Sequence, residues 1–263
     1  MKISANGINI NYELSGPDNA PAVMLSHSLA ASLAMWEPQM AALTARYRVL
    51  RYDLRGHGAS EAPVGDYTFD MLADDALGLL HALNIKRCHF VGLSIGGMIG
   101  QALGLRAAPE IASLTLCATS SRMPAEMQSV WDARIAQVRA QGVGSITNGT
   151  MERWFTSDFR AANPNTIAEV GAMIAGTSAD GFAGCASAIK TLNFTDQLKK
   201  ISLATFLIVG RDDPGTPVAA SEAIQREIKG AGLVVLEPAM HICNIEQAEG
   251  FNQALLDFLG RQS

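Results

Sequence analysis

The chain has 263 residues, 48% of them hydrophobic and only 17% charged, with a formal net charge of −5 at pH 7. That length and apolar content are enough to bury a substantial core within one α/β domain. A negative balance with no block of lysines or arginines excludes the electrostatic footprint of a nucleic-acid or anionic-membrane binder.

In chain order, the stretch from Lys2 to Leu14 carries Asn6-Gly7 at its middle and predicts a β-hairpin. The same N-terminus lacks the apolar core of a signal peptide, and no uncharged apolar run approaches the roughly 20 residues of a membrane span, so a cytoplasmic protein without membrane contact is expected. Short apolar runs follow at 22–27 ("AVMLSH"), 48–53 ("RVLRYD"), 88–94 ("CHFVGLS"), 204–210 ("ATFLIVG") and 232–237 ("GLVVLE"). Continuous rather than alternating hydrophobicity predicts strands buried on both faces of a parallel sheet. Between them, Leu72, Ala76, Leu79, Leu80 and Leu83 recur at helical spacing over 69–84, with Thr68 as N-cap. Strand and helix alternate, which means βαβ units.

From 121 to 192 no buried strand stands out, and Trp131, Trp154 and helix-like segments fill the interval. It reads as a helical cap inserted after the sixth strand, within one structural unit whose core is 1–120 and 193–263. The four cysteines, Cys88, Cys117, Cys185 and Cys243, lack C-x-x-C spacing and suggest neither a zinc site nor a disulfide framework.

The strongest local signal is "FVGLSIGGMIG", residues 90–100. It meets neither the dinucleotide spacing G-x-G-x-x-G nor the P-loop. It fits G-x-S-x-G, in which Ser94 sits on a sharp strand-to-helix turn with its hydroxyl exposed. A serine hydroxyl is a weak nucleophile and needs an adjacent base oriented by a third group. In nucleophiles of this kind the acid and base follow the serine along the chain, each just after a strand. Of the five histidines only His241 lies downstream, in "EPAMHICNIEQ". For the acid, "LIVGRDDPGTP" offers Asp212 and Asp213 without deciding between them. Developing negative charge would be met by the backbone N–H of Ile95 and by that of Leu29, in the loop after the 22–27 strand. Asp53 and His57 in "DLRGHGAS" precede Ser94 and read as a tight buried turn, and Asp74-Asp75 as a solvated helix face.

Taken together, "GLSIGG", "RYDLRGHGAS", "GRDDPGTP", "HICNIEQ" and "MWEPQMAAL" resemble the α/β-hydrolase superfamily along almost the whole chain. Within it, "HSLAASLAMWEPQ" is similar to the Ser-Leu-Gly oxyanion loop of the 3-oxoadipate enol-lactonases of aromatic catabolism, with Ala30 where the glycine would stand. "RWFTSDF" (Arg153 to Phe159) is similar to that group's cap segment. The resemblance implies an α/β-hydrolase fold, with a mostly parallel central sheet flanked by helices and a helical cap. It also places the acid three residues after a glycine, which selects Asp213 beside Gly210. Implied with it are a catalytic triad of Ser94, Asp213 and His241, hydrolysis of a small-molecule ester or lactone, and no metal or organic cofactor. Oligomeric state stays open. A general carboxylesterase, a lactonase for other rings and a ligand receptor on the same scaffold are the competing readings. An enol-lactone of this type carries a carboxylate, for which the cap offers Arg122, Arg134, Arg139 and Arg153. Arg134 near Trp131 and Arg153 beside Trp154 are the favoured substrate-binding candidates.

Overall fold

The computed structural model describes residues 1–262. Asn6 and Gly7 both have positive φ (47° and 78°), as a tight two-residue hairpin turn requires, and fold β1 (Lys2–Ala5) back onto β2 (Ile8–Ser15). The next elements are β3 (Ala22–Ser26), α1 (Glu37–Thr44), β4 (Arg48–Tyr52), α2 (Phe69–Ala82), β5 (Cys88–Leu93), α3 (Ile95–Leu105) and β6 (Ile111–Cys117). Between β6 and β7 (Thr205–Gly210) the chain is helical, through α4 (Gln128–Gln141), α5 (Thr147–Trp154), α6 (Ser157–Ala162), α7 (Pro164–Ala175) and α8 (Ala179–Lys190). It closes with α9 (Val218–Glu227), β8 (Gly232–Leu236), α10 (Cys243–Glu246) and α11 (Ala248–Leu259).

The eight strands among the described residues form one sheet in the order β1-β2-β4-β3-β5-β6-β7-β8, parallel from β4 onward. β5 lies inside this sheet and every one of its residues is buried, which is why its sequence shows no alternation. Two strands depart from the expected pattern. β8 is the sheet's edge, and four of its five residues are half-buried rather than enclosed on both faces. β6, the sixth strand, is missing from the apolar runs because Ser113 and Thr115 interrupt it. Both are fully buried, Ser113 bonded to His89 Nδ1 at 2.8 Å.

Thr68 caps α2, its hydroxyl accepting from the Met71 N–H at 3.1 Å. Asp74 on this helix is solvated, but Asp75 is not: it is buried and paired with Arg55 at 2.5 Å, correcting the reading of both as a solvated face. The helical insertion leaves and rejoins the sheet side by side. Met123 N–H donates to Leu192 O at 2.9 Å and Phe194 N–H to Ser121 O at 2.7 Å. Helix α8 rests directly on the loop after β4, so closely that a Cβ on Gly181 would stand 2.0 Å from the Gly56 carbonyl oxygen. All four cysteines are free and buried, and burial pushes the Cys88 thiol up to about 12. Among the described residues no cluster of three or more metal-ligating side chains occurs, and no helix is long and apolar enough to cross a membrane.

Candidate active site

Parallel strands present their carboxyl ends to one side of the sheet, and ligands of such folds bind there. Ser94 follows the end of β5 with φ 58° and ψ −116°, a backbone conformation that costs a non-glycine residue on the order of 1–3 kcal/mol. Two bonds hold it: its N–H donates to Cys117 O at 2.9 Å, and Thr119 Oγ1 donates to its carbonyl at 2.8 Å. The flanking glycines make the turn sterically feasible. A Cβ on Gly92 would lie 2.1 Å from Gly96 O, and one on Gly96 would lie 2.2 Å from Ser26 O. The Ser94 side chain lines a cavity of about 120 Å³ together with Leu29, Asp213 and His241. Among the described residues no side chain hydrogen-bonds its hydroxyl, and contacts of this kind frequently close only around substrate.

Asp213 and His241 come from the loops after β7 and β8. The structure brings Asp213, not Asp212, to the histidine: His241 Nδ1 lies 2.8 Å from Asp213 Oδ2, and Asp212 is exposed. The other carboxylate oxygen accepts from the Gly215 and Thr216 N–H groups at 2.8 and 3.0 Å. Thr216 Oγ1 donates to Oδ2 at 2.6 Å and stands 3.3 Å from His241 Nδ1. Burial opposes charge on Asp213, but the adjacent imidazole and the Thr216 donors outweigh it and hold the carboxyl at about 2. It is therefore ionised and can only accept, which places a proton of His241 on Nδ1.

Leu29 lies in the loop after β3, and Ile95 is the first residue of α3. Among the described residues neither backbone N–H has an acceptor, whereas those on either side of Leu29 do: Ser28 N–H meets Met35 Sδ and Ala30 N–H meets His57 Nε2. Ala30 has φ 62°, the left-handed conformation that accounts for glycine at this point of the resembled loop. His27 brackets the same loop, its Nδ1–H donating to Ser28 O at 2.7 Å and its Nε2 accepting from Leu54 N–H at 2.9 Å. Asp53 takes the Leu33 N–H at 2.7 Å. The "DLRGHGAS" turn is thus the buttress of this loop, a role its sequence spacing conceals.

Trp131, Arg134, Arg153 and Trp154 all line the same cavity. The Arg134 guanidinium lies over the Trp131 and Phe182 rings at 5.4 and 5.6 Å. Both arginines donate to a single hydroxyl, Thr150 Oγ1, at 2.9 Å from Arg134 and 3.4 Å from Arg153. Neither has a carboxylate at ion-pair distance among the described residues. Burial, then the repulsion of Arg153, draws Arg134 down to about 10. By contrast, Arg122 is paired with Asp196 at 2.7 Å and Arg139 is exposed, away from the cavity. Sequence reasoning missed Thr216, Thr150 and Phe182. Only Thr216, inside "GRDDPGTP", carried a signal, as the hydroxyl closing an Asp-initiated turn.

Comparison with known proteins identifies the family of the chain. A family model described as the alpha/beta hydrolase fold matches residues 21–248. The chain is 37% identical to 3-oxoadipate enol-lactonase 2 of Acinetobacter baylyi, covering 96% of this chain and 94% of the relative. It is 35% identical to 3-oxoadipate enol-lactonase 1 of the same organism, covering 98% and 96%. The crystal structure of the enol-lactonase from Burkholderia xenovorans LB400 superposes with a TM-score of 0.96 at 37% identity, covering 99% of this chain and 100% of that one.

Proposed function

The chain belongs to the alpha/beta hydrolase fold family, and from that premise we propose that it is a serine hydrolase opening an enol-lactone of the 3-oxoadipate type. The observation that carries this reading is the shared cavity of Ser94, on its left-handed turn, and His241, bound to an ionised Asp213. Ser94 Oγ bonds to the lactone carbonyl carbon as its proton passes to His241 Nε2. The N–H groups of Leu29 and Ile95 hold the oxyanion. The ring C–O bond then breaks and the proton moves from His241 to the leaving enol oxygen, which tautomerises to a ketone. Water adds to the acyl carbon, gives a proton to His241 and releases the acid. Ser94 regains its proton, and no cofactor enters.

The unpaired guanidiniums of Arg134 and Arg153 support an anionic substrate, since a carboxylate between them would relieve their mutual repulsion. Two measurements test the proposal. Ser94→Ala is expected to lower kcat by on the order of 10⁴–10⁶, and a variant keeping a tenth of wild-type turnover would refute the nucleophile. Arg134→Ala is expected to raise KM for the anionic lactone about tenfold while leaving a neutral aryl acetate nearly unchanged. Equal loss on both would leave a general carboxylesterase.

A further inference from the structure

The cavity at Ser94 adjoins a larger one. The outer chamber has a volume of about 690 Å³ against about 120 Å³ for the inner. Ser120, Met123, Trp131, Arg134, Arg153 and Gly215 line both, so the chambers meet along a common wall at Trp131. At roughly 10–15 Å³ for each water-sized position, the inner chamber takes a molecule of about ten non-hydrogen atoms. A small lactone fills it and leaves the outer one unused.

The outer walls are chiefly apolar: Met127, just before α4, and Val130 within it line the chamber together with Pro217, just before α9, and Ala220 and Ala223 of α9. Among the described residues no acidic side chain lines them. Two of the polar groups present are already engaged, Arg122 with Asp196 and Ser121 with Thr195. Met127 and Val130, 39% and 52% exposed, are two of the four large hydrophobic residues left exposed among the described residues. Apolar side chains gathered at the rim of a cavity mark a binding surface, where isolated ones do not.

We propose that the outer chamber is a tail subsite, and that the protein also hydrolyses carboxylic esters bearing an unbranched alkyl chain. The carbonyl sits at Ser94 while the chain runs past Trp131 into the space between α4 and α9. This rests on the serine-hydrolase reading. The chain is supplied by either the acid or the alcohol half of the ester, and two series separate these: ethyl esters of acetic to octanoic acid, and acetates of ethanol to octanol, followed by acid release.

In one series kcat/KM rises at least about tenfold between two and six carbons, through KM, as burial of successive methylenes requires. Ala223→Phe, which fills the chamber, and Val130→Asp, which charges its exposed rim, each remove most of that rise. Rates on ethyl acetate stay within about twofold of wild type, because neither residue lines the inner cavity. A flat profile in both series overturns the subsite, as does a rise untouched by either variant. Failure of the wild type to hydrolyse any ester or lactone would instead refute the serine-hydrolase reading beneath it.

Discussion

His27 and His57 sit fully inside the protein with ring centroids 5.3 Å apart, and each accepts a backbone N–H through Nε2. Protonation would replace that acceptor with a donor facing a donor. Burial foremost, then the neighbouring His27, lowers His57 to about 3, and burial lowers His27 as well. The unfolded chain takes up these protons below about pH 6.5 while the native one does not, so the stability they contribute is present above that pH and lost as pH falls, for His57 down toward about 3. Urea unfolding is expected to lose up to about 1.4 kcal/mol per pH unit for His57 across that window, with His27 adding to the loss in the same direction. His57→Gln, which keeps an acceptor, should flatten the slope; identical slopes would disprove the assignment. The two neighbouring acids divide as cleanly. Asp213→Asn is expected to lower kcat by on the order of 10⁴ through the wrong imidazole tautomer, and Asp212→Asn to change it little. Steady-state rates of the pair decide this.

At the scale of elements, the histidine loop is tied to the helical insertion by Glu246 at the end of α10. One of its carboxylate oxygens accepts from the Thr156 N–H at 2.9 Å and hydroxyl at 2.5 Å, the other from the Met240 N–H at 2.8 Å. Ile242 N–H adds a bond to Trp154 O at 3.2 Å. Glu246→Ala leaves three donors unmet and is expected to cost about 2–3 kcal/mol of stability and to lower kcat more than it raises KM. Equal kcat in the variant would reduce Glu246 to a structural brace. Such ties explain what the sequence could and could not disclose. Ser94 announces itself because its turn is local, and His241 because it alone follows Ser94. The choice of Asp213 over Asp212 needs the β7 and β8 loops in register, although the family resemblance already favoured it. His57 read only as part of a tight buried turn because it acts on a backbone N–H, which carries no residue signature. Phe182 and Thr150 meet the cavity only when α8 and α5 pack, and no spacing encodes that.

For the whole molecule, the helical insertion is fastened to the sheet at several separate places: the paired crossings at Ser121–Met123 and Leu192–Phe194, the Glu246 bonds, and the α8 contact at Gly181. Gly181→Ala puts a methyl where the Gly56 carbonyl stands. With overpacking at about 1–3 kcal/mol, calorimetry should find Tm lowered by about 3–10 °C. An unchanged Tm would mean that α8 is free to ride away from the core.

The four enclosed thiols give this architecture a built-in clock. A thiol held away from solvent and kept protonated is inert to alkylating agents, so each reacts only when its own surroundings open. Cys185 belongs to α8, Cys243 lies two residues past His241, and Cys88 and Cys117 belong to the sheet. Timed alkylation read by peptide mass therefore ranks the breathing of insertion, histidine loop and sheet in the unmodified protein, without a single engineered probe.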